Sequence, residues 1–145
     1  SRLLGGKTDV IMMLSGALSG LVAITAEPLA PTPGLAIVIG SIGAVIMYFG
    51  TKMLENLGLD DVVGAIPVHM FAGIFGTLVV PLSNKQTAFS TQFLGTLSVC
   101  VFSFFLSYLI FKIMKATIGL RISKEAEKLG TDKAEVGVVA YAIRD

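Results

Sequence analysis

Four apolar stretches, separated by short polar or proline-rich breaks, leave this chain few folds to adopt. They run from about Val10 to Ala26, Leu35 to Leu57, Val62 to Leu82 and Phe89 to Met114. Each is close to the ~20 residues that a helix needs to cross a hydrocarbon core. Barrel strands, which alternate over about 10 residues, are excluded by length. The expected fold class is all-α, a polytopic membrane helical bundle. A charged content of 14% against 54% hydrophobic residues agrees, since soluble domains carry about 25% charged residues.

The breaks set the topology. Glu27, Pro28, Pro31, Pro33 and Gly34 end the first stretch. The second is strictly apolar only to Tyr48 and reaches Leu57 through an amphipathic turn at Lys52, a side chain that can extend to an interface. Pro81, Ser83, Asn84 and Lys85 close the third. Four crossings put both termini on one side and the loops 27–34 and 83–88 on the other. Arg2, Lys7, Lys52, Lys112, Lys115, Arg121, Lys124, Lys128, Lys133 and Arg144 fall on the terminal side, and only Lys85 falls opposite. Basic residues accumulate on the cytoplasmic side of membrane proteins, so both termini are expected there. Small residues at helical spacing, Gly16 with Gly20, Ser15 with Ser19, Ala36 with Gly40 and Ala44, and Gly73 with Gly76, predict close helix packing.

The chain's one histidine, His69, lies in the third stretch, which begins at Asp60 and Asp61. Eight helical residues beyond Asp61 amount to roughly 12 Å, about the middle of a ~30 Å core. Ionisable groups at such depth usually face a cavity or another helix, which points to a transport path. The alternative is a histidine hydrogen-bonded inside the bundle. A neutral imidazole keeps one donor and one acceptor. Beside a second imidazole it can hold a small hydrogen-bonding solute or relay a proton. An apolar lumen offers too few oxygens to replace the water of alkali ions, so a small neutral or protonatable amine is the expected substrate class.

Other chemistry is sparse. There is no HExxH, no GxSxG, no phosphate-binding glycine loop and no second histidine, so no enzyme activity or cofactor is expected. Cys100 is the only cysteine, which leaves no disulfide framework or cysteine metal site within one chain. The net charge of +1 does not imply nucleic acid. From Arg121 the composition turns polar, giving a tail in which Asp132 followed by Glu135 resembles a helix cap. The tail is either a solvated terminus or a docking surface. The first residue is Ser1, with no signal-peptide apolar region before Asp9, so the start reads as internal to a longer protein.

The segment LGLDDVVGAIPVHMFAGIFGTL around His69 resembles the tenth transmembrane helix of the Amt/Mep/Rh ammonium transporters. SGALSGLVAIT at Ser15 to Thr25 is similar to the eighth helix of that family, and PGLAIVIGSIGAV at Pro33 to Val45 to its ninth. GLRIS at Gly119 to Ser123, with Glu125, Glu127, Gly130, Asp132, Gly137, Ala140 and Tyr141, resembles its cytoplasmic tail motif. The resemblance implies that residues 1–118 are the last four helices of an eleven-helix ammonium transporter fold, and 119–145 its cytoplasmic tail. It implies that His69 is the second of two paired pore histidines, and that Thr25 closes the eighth helix near an outer recruitment site. The other histidine, the gate phenylalanines and the recruitment aromatic would come from the missing N-terminal helices. It further implies a homotrimer in the plasma or inner membrane, surrounded by lipid, with Gly119, Arg121, Asp132 and Tyr141 in a regulatory tail open to a PII-type regulator. This chain departs from the family pattern at Gly64, where an aspartate is usual, and at Pro67 and Met70, where glycines are common. Pro67 lacks a backbone donor and is expected to kink the helix before His69. Ammonium transport is the leading expectation; an ammonium sensor signalling through the tail is the second, and a piece serving only assembly the third.

Overall fold

The computed structural model describes residues 9–139, and every regular element among them is helical. Helix α1 spans Val10–Ile24, α2 Pro33–Asn56, α3 Ala72–Ser83, α4 Phe89–Thr117 and α5 Lys124–Leu129. A π-helical segment, Ile66–Phe71, runs directly into α3, and a second covers Asp132–Val136. Three helical segments are long and apolar enough to cross a membrane: Pro33–Asn56, Ile66–Ser83 and Phe89–Thr117. At 15 residues, α1 measures about 22 Å and is shorter than a ~30 Å core. The chain divides into two compact units, Ser1–Cys100 and Val101–Asp145.

Local chemistry sets the helix limits. The Asp9 carboxylate accepts a hydrogen bond from Met12 N at 3.0 Å, and Thr32 Oγ1 accepts one from Leu35 N at 3.3 Å. Both satisfy first-turn donors that have no partner within the helix. Pro33 follows Thr32 at the start of α2, where its missing N–H costs nothing. Beyond α2, Leu57 N donates to Met53 O and Gly58 N to Glu55 O, which closes the last turn before the loop carrying Asp60 and Asp61.

In the first unit α1, α2 and the Ile66–Ser83 segment pack on one another. The buried positions of α2 are Ile39, Gly43, Met47, Gly50 and Leu54, spaced to fall on one helical face. From α1 come Ser19 and Ala23, and from the third segment Pro67, Val68, Ala72, Gly76 and Val80. The contacts are between backbones as much as side chains. A Cβ added to Gly43 would lie 2.7 Å from Ala23 Cβ and 3.0 Å from the Ser19 oxygen, and one added to Gly76 would collide with the Ala23 oxygen. Of the small-residue pairs expected from sequence, Gly20 and Gly40 do face each other, and Gly73 and Gly76 meet α1 at Val22 and Ala23. The contacts of Gly43 with Ala23 and Gly50 with Phe71 lie outside those pairs.

The two loops after α1 and α3 share one end of this unit, because Asn84 Nδ2 donates to the Glu27 carboxylate at 3.1 Å. Alternating helix directions require that placement. Helix α4 buries none of its 29 residues, and Phe102, Phe104 and Phe105 stay 67%, 65% and 64% exposed. Apolar patches on this scale mark membrane or partner contact.

The Ala23–Gly76 approach yields a direct test. Gly76→Val in the full-length protein is expected to lower stability by about 1–3 kcal/mol through overpacking, read as a lower thermal midpoint in detergent. An unchanged midpoint would mean that α1 does not pack against α3 in this way.

Candidate functional site

His69 lies three residues beyond Ile66 and is the only titratable side chain between Ile66 and Ser83. Its distance from the start of the helix corrects the sequence estimate. Residues 61–64 form a turn rather than a helix, with Gly64 N donating to Asp61 O at 3.1 Å. Gly64 has φ 68°, a left-handed conformation that glycine alone adopts without strain. His69 therefore stands one turn into its helix instead of two. The glycine at this departure from the family pattern has a local backbone reason.

Asp61 organises the start of that helix. Its Oδ1 accepts from Ala65 N at 2.9 Å and its Oδ2 from Ile66 N at 2.8 Å. The next residue, Pro67, has no N–H, and Val68 N donates to Gly64 O at 3.0 Å. Every first-turn donor thus has a partner or does not exist. Pro67 thus sits in the first turn, where a proline breaks no hydrogen bond. Asp60, next to Asp61, is exposed. Together with Glu55 and Gly64 both aspartates border an open cleft of about 170 Å³. Among the described residues no group of three or more His, Cys, Asp and Glu is placed to hold a metal ion.

The π-helical geometry decides which way His69 faces. In a regular α-helix His69, seven residues before the buried Gly76, would share its face to within about 20°. Pro67, nine residues before, would be about two and a half turns away and point outward. The observed pattern is the reverse: Pro67 and Val68 are buried, while His69 and Met70 are exposed. Ala72 N donates to Pro67 O, the five-residue step of a π-turn, and the wider turn rotates the histidine out of the three-helix core. Such turns occur frequently at functional sites. The imidazole is therefore not a buried core group of the three-helix unit.

Thr25 is exposed at the C-terminal cap of α1, where its Oγ1 donates to Val22 O at 2.7 Å. It sits at the Glu27–Asn84 end, whereas Asp61 and His69 are toward the opposite end of the third segment. The structure does not bring Thr25 and His69 together. Sequence reasoning missed the Glu27–Asn84 pair, whose only signal is two polar side chains flanking helix ends 57 residues apart.

In the second unit Gly119, at φ 81°, follows α4, and its N–H donates to Met114 O at 3.0 Å. Ser123 Oγ caps α5 by accepting from Ala126 N at 3.1 Å. Asp132 opens a π-helical turn, with Thr131 rather than Asp132 in the capping position, and its carbonyl accepts from Val138 N. Tyr141 lies outside the described residues. Arg121 grips Glu127 with two hydrogen bonds, Nε to Oε1 at 2.6 Å and Nη2 to Oε2 at 3.1 Å. That hydrogen bonding, reinforced by the guanidinium charge, holds the Glu127 carboxyl below its ordinary 4.5. A carboxyl depressed in the folded state adds stability above its unfolded pKa and loses it as pH falls through the folded one. Amide protection of the 121–129 segment should thus hold from pH 8 down to 5 and decline only below 4.5. In Glu127→Gln this acid-induced step should disappear. A loss of protection beginning near neutral pH would contradict the assignment.

Comparison with known proteins gives the family. The sequence profile of the Ammonium Transporter Family matches residues 1–141. The chain is 38% identical to the ammonium transporter Amt2 of Archaeoglobus fulgidus, over 94% of this chain and 33% of that protein. It is 35% identical to a putative ammonium transporter of Synechocystis sp., over 90% of this chain and 30% of the relative. Against Amt2 of Methanocaldococcus jannaschii the identity is 31%, over 96% and 35%. The chain spans about a third of the length of these curated relatives. With a family match that runs through the π-turn, the three-helix core and most of the tail, the chain belongs to the ammonium transporter family.

Proposed function

We propose that this chain is the C-terminal part of an ammonium transporter and that His69 lines a hydrophobic path for ammonia. The observation that carries the proposal is an exposed imidazole on an otherwise apolar helix, turned away from its own core by a π-turn. An ionisable group on a membrane helix is costly unless it faces a cavity or another helix. The missing N-terminal helices would bring the second pore histidine opposite His69. Ammonium would then lose its proton on the outer side near Thr25, cross as ammonia and regain the proton at the far side. Four crossings, spans 10–26, 35–57, 62–82 and 89–114, put the tail in the cytoplasm of a multi-pass plasma or inner membrane protein. That assignment rests on the bias of ten basic residues against one and the positive-inside rule. A homotrimer in lipid is the assembly the family suggests, with no enzymatic turnover.

In the full-length protein, His69→Ala is expected to abolish selective ammonium uptake while assembly and folding persist. Uptake and selectivity equal to the parent protein would overturn the pore assignment.

A second reading is favoured by the tail, where Ser123 caps α5 and Arg121 is locked to Glu127. A tail with capped and ion-paired structure in its described part suits a sensor that binds ammonium without useful flux and reports occupancy to a cytoplasmic PII-type regulator through Gly119, Arg121, Asp132 and Tyr141. Proteoliposomes separate the two: robust ammonium flux in the purified protein excludes a pure sensor, and ammonium binding without flux favours it.

A further inference from the structure

We infer that Glu27 and Asn84 form a clasp that positions the outer mouth of the transport path, an inference that rests on the transporter reading. The hydrogen bonds that cap α1, α2 and α5 each span three residues; the one from Asn84 Nδ2 to the Glu27 carboxylate spans 57. The donor is aimed by its own loop. Asn84 Oδ1 accepts from Gln86 N at 3.0 Å, so the amide is turned with its nitrogen away from residues 85–87. The Asn84 carbonyl accepts from Thr87 Oγ1 at 2.8 Å, and its N–H donates to Val80 O at 2.9 Å. With backbone and side chain both engaged, the residue is a fixed post at the end of α3.

Glu27 stands two residues beyond Thr25, at the head of a segment containing Pro28 and Pro31 that forms no helix or strand before Pro33. Both clasp residues are half-buried. Beneath them the seam between α1, α2 and α3 is nearly filled. A cavity there, bordered by Ala23, Glu27, Pro31 and Ser83, is about 10 Å³, room for roughly one water-sized group. Opening the clasp would release the α1–α2 loop and the Thr25 cap behind it. The glycine contacts with Ala23 and the π-turn at His69 lie further along the helices and would stay in place. Glu27 and Asn84 are therefore positioning residues for ammonium capture and not for its passage.

The test is ammonium uptake by full-length Glu27→Ala, Glu27→Gln, Asn84→Ala, Asn84→Asp and the Glu27→Ala/Asn84→Ala double variant in proteoliposomes. Both alanine variants should raise the half-saturating ammonium concentration several-fold with the plateau rate per folded protein unchanged, and the double should match the singles. Glu27→Gln should behave as the parent, because its amide oxygen accepts the same bond. Asn84→Asp, which sets two carboxylates face to face, should be the worst. Parent-like affinity in Glu27→Ala, a lowered plateau alone, additive effects in the double variant, or Glu27→Gln failing like Glu27→Ala would each overturn the clasp. If the parent protein carries no ammonium, the transporter reading fails. The clasp is then decided by thermal unfolding of the same variants: non-additive losses support it and additive ones overturn it.

Discussion

The contact of the α1 backbone at Ser19 and Ala23 with Gly43 on one side and Gly76 on the other is the constraint from which the rest of this structure follows. In a membrane, helices gain little from burying apolar side chains against each other, since lipid tails are equally apolar; association depends on close packing. Glycine provides that closeness, and α1, only 15 residues long, is held between two neighbours through its backbone. Because Gly76 must face Ala23, the rotation of α3 about its own axis is set. Whether His69 ends up in the core or outside it then depends only on how the chain winds between residues 66 and 72.

That winding is where sequence and structure part. The four apolar stretches, the loops around residues 27–34 and 83–88, and the change of character at the tail were all legible, because apolar length and polar breaks are one-dimensional properties. The limits agree closely: Pro33–Asn56 against the expected 35–57, and Phe89–Thr117 against 89–114. Thr32 followed by Pro33 is a capping signal readable in the sequence itself. The start of the third helix was not legible. Counting regular helix from Asp61 requires Gly64 to be helical, and its left-handed φ is a property of the fold around it. The face of α2 was only partly read, since Gly43 and Gly50 belong to a stripe completed by Ile39, Met47 and Leu54 rather than to a glycine repeat.

The family resemblance singled out His69, Thr25 and the tail residues but said nothing about geometry. Pro67, before the histidine, lies within the first turn, where its missing N–H breaks no hydrogen bond. The π-turn that follows it exchanges the faces of Pro67 and His69. The Glu27–Asn84 pair was invisible for another reason: neither residue belongs to a local motif, and only the packing of α1 on α3 brings two loops separated by 57 residues to one place.

Several departures from regular helix meet in one stretch of the membrane unit. Between Asp61 and Phe71 the chain carries a left-handed glycine, a proline, a π-turn and an ionisable side chain on an apolar helix. Asp61 offsets part of this by supplying two acceptors for first-turn donors that have no partner within the helix. A sequence obeys local rules where only stability is at stake, and departures that accumulate at one place mark functional sites. Together they leave Pro67 and Val68 in the core and His69 outside it, the reverse of what a regular helix from Gly76 would give.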